Sequence, residues 1–398
     1  MVANPPSASS PAAPTIPALG TERTPAVNEL RLTGRQWAAT LTLLFVVATA
    51  SPWLWQYAEP FRPGPDFRLP YRLSKDYWLY QRRLRQLDNP QTVVVLGDSV
   101  VWGEYVSPEG TLAHFLGTET GQPGRFANAG VNGLFPLALE GLVTHYAGAL
   151  KHRKVVLQGN LLWLTSPKAD LSSDKVEAFN HSRLVPQFVP RLPGYGADAG
   201  ERLGAVVERH CDFFAWINHL ESAYFDQHSI PAWTLADDGR DPPAYPNLRR
   251  CPVAAISLHL PEDPTPDSER GPASPRHRSW RTGGAAPTRF DWVSLESSLQ
   301  WQAFQRTVGR LRSANNDVFV VLGPFNESMI APDSLAPYQR IKAGAIRWLT
   351  ELHVPFVAPD ALPADLYADA SHPLTEGYAQ LARQLYADSQ FQTWLKRP

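Results

Sequence analysis

The sequence predicts an α/β domain built on a parallel sheet and preceded by a single apolar helix. Three observations carry this reading. Short Val-rich runs alternate with longer stretches in which apolar residues recur at helical spacing. The runs are apolar throughout rather than alternating, as strands covered on both faces must be. One stretch, residues 36–55, contains no charged residue.

The bulk numbers bound what the chain can be. Its 398 residues and 44.2 kDa allow two or three units at ~150 residues per domain, or one large domain with insertions. Hydrophobic residues make up 43%, enough for a sizeable core, which excludes global disorder. Lys plus Arg (37) nearly balances Asp plus Glu (38), so the net charge is −1 and there is no bulk charge to hold nucleic acid. Two cysteines exclude a disulfide-dense scaffold and a Cys-rich zinc module. Proline, 38 of 398 residues, is about twice its ~5% average usage and predicts many irregular loops.

Residues 1–35 form a tail rich in Pro, Ala, Ser and Thr, expected to be disordered. Residues 36–55 (QWAATLTLLFVVATASPWLW) follow as a transmembrane anchor. Twenty residues at 1.5 Å each span ~30 Å, one bilayer core. Trp37 sits at one end and Trp53 and Trp55 at the other, where aromatic rings favour the interface. Ala48-Thr49-Ala50 before Ser51 leaves a cleaved signal peptide open as an alternative. A buried core helix is disfavoured because the segment has no polar face. Arg31 and Arg35 precede the segment, and Arg62, Arg68, Arg72 and Lys75 follow it, so charge does not orient it. The architecture, a short tail and a long following domain, places residues 60–398 outside the cytoplasm. There Cys211 and Cys251 are candidates for a disulfide.

Residues 56–90 read as a basic, aromatic neck ending in a helix through Leu79, Arg83 and Leu87. The main domain, 91–398, opens with the run Thr92–Leu96, a buried strand. Further strands are expected at Arg125–Ala129, Lys154–Leu157, Asp317–Leu322 and Val354–Val357. Helices are expected over Leu137–Leu150, along the stripe Trp301, Phe304, Val308, Leu311, along Tyr338, Ile341, Ala345, Trp348, Leu352, and at Tyr378, Leu381, Ala382, Leu385. Residues 165–290 break the pattern and read as an insertion, helical near 206–228 and loop-like over 261–289. His210, His219 and His228 are spaced by nine, which turns about 900° on a helix, so they cannot share one metal site.

Four short stretches fall where functional residues of such a sheet belong, at strand ends. They are Gly97-Asp98-Ser99-Val100, Asn128–Gly133, Gly159-Asn160, and Asp369-Ala370-Ser371-His372 ahead of the closing helix. A serine at a strand-to-helix turn is exposed, and the helix N-terminus favours a developing oxyanion. A serine hydroxyl is a poor nucleophile without a base, and His372 is the candidate base. Asp369, three residues earlier, can hold the other ring nitrogen and fix the tautomer. Gly133 can offer an unobstructed backbone N–H and Asn160 a side-chain N–H to the same oxygen, with Gly130 as the rival glycine. Trp102, Trp163 and Asn326 (with Glu327 beside it) are weaker candidates for lining a substrate pocket.

These blocks resemble the SGNH (GDSL) hydrolase family, matched in order by GDSV at 97–100, NAGVNG at 128–133, GN at 159–160 and DASH at 369–372. The resemblance covers about 90–165 and 290–390. It departs from the family pattern at Val100, commonly leucine, and at Leu161, often acidic. It implies a flavodoxin-like three-layer sandwich and acyl-ester chemistry, by hydrolysis or O-acyl transfer. The catalytic residues would be Ser99, Asp369 and His372, and the oxyanion donors Ser99, Gly133 and Asn160, with neither cofactor nor metal. Envelope attachment and tryptophan content suggest an acylated glycan as substrate. The alternative is a non-catalytic glycan-binding protein on the same fold.

Overall fold

The computed structural model describes residues 32–236, 250–261, 278–283 and 286–397. Residues 1–31 of the expected disordered tail and the centre of the expected 261–289 loop lie outside these residues; Gly34 and Arg35 of that tail belong to the first helix. The chain divides into two units, 1–48 and 49–398.

The helix Gly34–Ala58 contains an 18-residue stretch with a mean hydropathy of 1.5 and is long and apolar enough to cross a membrane. Thr33 and Gln36 start it with a reciprocal cap: the Gln36 side chain accepts from the Thr33 N–H and the Thr33 hydroxyl accepts from the Gln36 N–H. It outruns the expected 36–55 because nothing after Trp55 stops it until Arg82 caps the carbonyls of Gln56 and Glu59, at 2.9 and 2.6 Å.

In the second unit, five strands form one parallel sheet in the order β2-β1-β3-β4-β5. They are β1 (Val93–Leu96), β2 (Phe126–Asn128), β3 (Lys154–Gly159), β4 (Asp317–Leu322) and β5 (Phe356–Val357). Alternate residues point to opposite faces. Val94, Leu96, Val155, Leu157, Val318 and Val320 join one apolar cluster, and Val93, Val95, Val156, Phe319 and Val321 the other. Helices cover both faces, which is why the strands read as continuous apolar runs. Pro136–His145, Leu299–Ser313 and Pro332–Glu351 supply residues to the first cluster, and Leu112–Glu119, Thr375–Ala387 and Ser389–Lys396 to the second.

The expected neck is part of the core. Leu69, Leu73, Trp78 and Leu79 are buried, and the Arg68 guanidinium donates to the carbonyls of Gly103 and Val106 at 2.7 and 2.9 Å. Between β3 and Leu299 the described residues add helices Ala199–His210 and Asp212–Tyr224 but no strand to the sheet. The single helix expected near 206–228 is broken at Cys211, whose extended backbone joins the two.

The expected disulfide is absent: Cys211 and Cys251 are free thiols, far apart. Cys211 sits at that helix junction. Cys251 opens the short helix Pro252–Ala255, next to Arg250, whose N–H is held by the Thr234 carbonyl. A bridge needs Cα atoms within ~7 Å, and these separate attachments prevent it. His219 is fully buried as a charged bridge. Its Nδ1 lies 2.6 Å from Asp76 and its Nε2 3.0 Å from Glu59, and Glu59 also receives Arg82 at 2.6 Å.

Candidate active site

The sheet order reverses direction between β1 and β3, and the crevice beyond their carboxyl ends is where doubly wound sheets place ligands. Ser99 follows β1 and Asn160 follows β3. Gly97 makes the turn possible: a Cβ there would lie 2.6 Å from Val101 and 3.0 Å from Gln158. Ser99 opens a single helical turn, Ser99–Trp102, capped by the Asp98 carboxylate on the Val100 N–H at 2.8 Å. One turn has little macrodipole, so the expected dipole contribution reduces to individual N–H groups. The Ser99 N–H meets no acceptor among the described residues.

The closing segment brings His372, the candidate base, to this turn. Ser99 Oγ lies 2.8 Å from His372 Nε2, and both Asp369 carboxylate oxygens lie 2.8 Å from His372 Nδ1. Asp369 also accepts the backbone N–H groups of Ser371 and His372, at 2.9 and 3.0 Å. Its carboxylate therefore shapes the loop and orients the ring together. The Tyr378 hydroxyl fastens the closing helix to the Ser99 turn, donating to the Val100 carbonyl at 2.7 Å. Ser99 is half-buried, and His372 is buried beneath it.

The electrostatics follow from burial and neighbours. Burial pushes the His372 imidazole down, but Asp369, then Asp98 and Glu104, outweigh it and hold its pKa above the ordinary value. Burial pushes the Asp369 carboxyl up, but His372 and the loop N–H groups bring it below the usual range. Asp98 is raised, because burial outweighs the donors Val100, Asn160 and Trp163 and the nearby His372.

The glycines of the second block divide their work. A Cβ on Gly130 would lie 2.3 Å from the Trp102 nitrogen, so Gly130 lets the loop rest on the Ser99 turn, and its N–H is taken by Asn128 Oδ1 at 3.0 Å. Gly133 is half-buried with φ +71°, and its N–H meets no acceptor among the described residues. An apolar cavity of about 330 Å³ adjoins Gly133, with Phe135, Leu171, Phe179 and Val185 in its wall and Asn180 beside the glycine.

Asn160 is fully buried. It donates to Asp98 Oδ2 at 2.9 Å and accepts from the Leu162 N–H at 2.9 Å. An amide carries two donor hydrogens, so one is committed to Asp98 and one remains.

The three weaker candidates are buried. Trp102 is buried, its indole N–H donates to the Leu69 carbonyl at 2.7 Å, and Arg68 stacks 3.9 Å from its ring. Trp163 is buried and donates to Asp98 at 3.0 Å. Asn326 is buried, with its N–H on the Ala370 carbonyl at 2.8 Å and its amide on the Asp369 carbonyl at 3.3 Å. Each packs or braces the loops that carry the site, because its polar atoms satisfy buried backbone or carboxylate groups. Glu327 is paired with Lys342 at 2.7 Å.

Sequence reasoning missed four neighbours. Glu104 accepts from the Asn132 amide, and Tyr105, at φ +67°, sets its ring edge-on to His372 with centroids 5.5 Å apart. His181 donates to the Asn132 carbonyl, and Asp98 anchors Asn160 and Trp163. Asp98 lay inside a quoted motif; the other three follow no spacing that marks them. No protein-family model matches the chain, and no curated protein is significantly similar to it.

Proposed function

We propose that the chain is a serine acyl-ester hydrolase or O-acyltransferase of the SGNH type. The observation that carries this reading is the unbroken hydrogen-bond relay Ser99–His372–Asp369, assembled from loops 273 residues apart at the serine and histidine. Ser99 Oγ attacks the ester carbonyl while His372 Nε2 takes its proton. The carbonyl oxygen becomes an oxyanion, received by the Ser99 and Gly133 N–H groups and the uncommitted Asn160 hydrogen. His372 then returns the proton to the leaving alkoxide, and an acyl-serine remains. Water, or the hydroxyl of an acceptor, gives up a proton to His372 and takes the acyl group, and the proton returns to Ser99.

The helix Gly34–Ala58 is the membrane anchor in this proposal, with the catalytic unit outside the cytoplasm. The glycan expectation rested on envelope attachment and tryptophan content; Trp102 and Trp163 are buried, so the substrate is named here only as an acyl ester.

The test is labelling of the full chain by a fluorophosphonate, with peptide mapping. Modification of Ser99, abolished in Ser99→Ala and in His372→Ala, supports the reading. An unlabelled protein supports a binding role on the same fold and overturns it. Sequencing of the mature N-terminus tests the anchor, and a start at Ser51 would refute it.

A further inference from the structure

The peptide unit joining Asn132 to Gly133 is held from one side only. Its N–H, on Gly133, is open. Its carbonyl, on Asn132, lies 2.7 Å from His181 Nε2, and His181 Nδ1 lies 3.0 Å from the Tyr77 hydroxyl. A carbonyl only accepts, so Nε2 carries the hydrogen; in a neutral ring Nδ1 must then accept from Tyr77. The hydrogen bonds therefore run one way, from Tyr77 to His181 to the Asn132 carbonyl.

Both side chains are buried. Burial, acting against the Asn132 carbonyl, holds the His181 pKa down to about 4, so the ring stays neutral and this donor order persists at neutral pH. His181 adopts φ +59°, a left-handed conformation unfavourable for a non-glycine residue, and its carbonyl closes the turn on the Leu184 N–H at 2.9 Å. The backbone thus carries strain at the residue whose imidazole reaches the second block. Glu104 and Asn180 approach the same two residues from elsewhere, Glu104 through the Asn132 amide and Asn180 beside the space a Gly133 Cβ would fill.

We propose that His181, oriented by Tyr77, positions and polarises the Asn132–Gly133 peptide so that the Gly133 N–H acts as an oxyanion donor. This rests on the acyl-transfer reading above. In a trans peptide the C=O and N–H point in opposite directions, so fixing the carbonyl on His181 directs the N–H away from it. Gly133, free of a Cβ, would otherwise let the peptide rotate. A hydrogen bond on the carbonyl also strengthens the N–H as a donor, by ~10–30%. His181 and Tyr77 are positioning residues, since neither touches the substrate.

The experiment uses the full chain with two probes: the second-order rate of Ser99 modification by a fluorophosphonate, and p-nitrophenyl acetate hydrolysis resolved into kcat and KM. His181→Phe keeps a ring and removes both nitrogens, Tyr77→Phe removes only the hydroxyl, and His181→Gln restores a donor. Loss of one oxyanion donor is worth ~10²–10³ in kcat, so His181→Phe is expected to approach that loss at unchanged KM. Tyr77→Phe should lose less and His181→Gln should recover part. The pH midpoint set by His372 should stay in place throughout. If the unmodified protein labels at Ser99 while a folded Tyr77→Phe and His181→Phe label at its rate, this inference is overturned and the enzyme reading stands. If His181→Phe is slow but His181→Gln is equally slow, the ring serves packing and the inference is again overturned. If the unmodified protein does not label, the enzyme reading falls, and this with it.

Discussion

Replacing Asp369 by Asn keeps the shape of the side chain and removes its charge. In the resting site both carboxylate oxygens lie 2.8 Å from His372 Nδ1. In the proposed reaction His372 takes the Ser99 proton and becomes an imidazolium facing that carboxylate. Two unit charges ~4 Å apart interact by ~4 kcal/mol at an effective dielectric of ~20. The Asp369 side chain is 36% exposed, so solvent screening reduces this. At ~1.4 kcal/mol per tenfold, the charge alone is worth at most ~10³ in kcat. The amide can also present its NH₂ to Nδ1 and select the wrong tautomer, which carries the loss toward ~10⁴. The assay is p-nitrophenyl acetate hydrolysis between pH 5 and 9, with melting temperatures to confirm folding. In the unmodified protein, kcat/KM should rise with pH as His372 loses its proton, with a midpoint above 6.5 because Asp369 and then Asp98 and Glu104 overcome the effect of burial. In Asp369→Asn the midpoint should move down. A folded variant within tenfold of the unmodified rate, with an unmoved midpoint, would refute the reasoning.

Further expectations follow from the same geometry. Asn160→Ala should lower turnover ~10²–10³-fold, and it also removes one donor from the buried Asp98 carboxylate, so both rate and denaturation midpoint should fall; an unchanged rate would remove Asn160 from the oxyanion site. His219→Ala leaves Glu59 and Asp76 buried without their shared cation and should cost ~3–5 kcal/mol in urea unfolding. His219 opposes burial through Asp76 and Glu59 and is raised to about 9, above the unfolded value. Its contribution should therefore be complete below about pH 6.5 and lost as pH rises through about 9, a decline that His219→Ala should not show. If the cavity beside Gly133 receives the acyl chain, Leu171→Trp should slow hydrolysis of long-chain p-nitrophenyl esters more than of the acetate; equal slowing would place the chain elsewhere.

The motifs of the candidate site were legible because each is local. GDSV needs only a strand end and a turn to expose Ser99, and DASH places Asp369 and His372 on one loop by their spacing of three. The helices were legible from their apolar stripes: Tyr378, Leu381, Ala382 and Leu385 are all buried as the period requires. The roles of the tryptophans and of Asn326 were not legible. An aromatic or amide near a motif reads the same whether its polar atom faces a ligand or a buried carboxylate, and only packing showed that Trp163 and Asn326 serve Asp98 and the Asp369 loop. Cys211 and Cys251 failed as a pair for a similar reason, since parity in composition carries no distance.

By itself, then, the sequence determined a parallel α/β sheet behind an apolar helix, and the residue types with which a nucleophile and base could be built. Both depend on periodicity and chain-neighbour chemistry, which one dimension records. Tertiary structure alone decided that His372 reaches Ser99, that Gly130 packs while Gly133 keeps its N–H open, and that His181 and Tyr77 stand behind the second block. Those are contacts between segments remote in the chain, selected by sheet order and burial, and no local pattern encodes them.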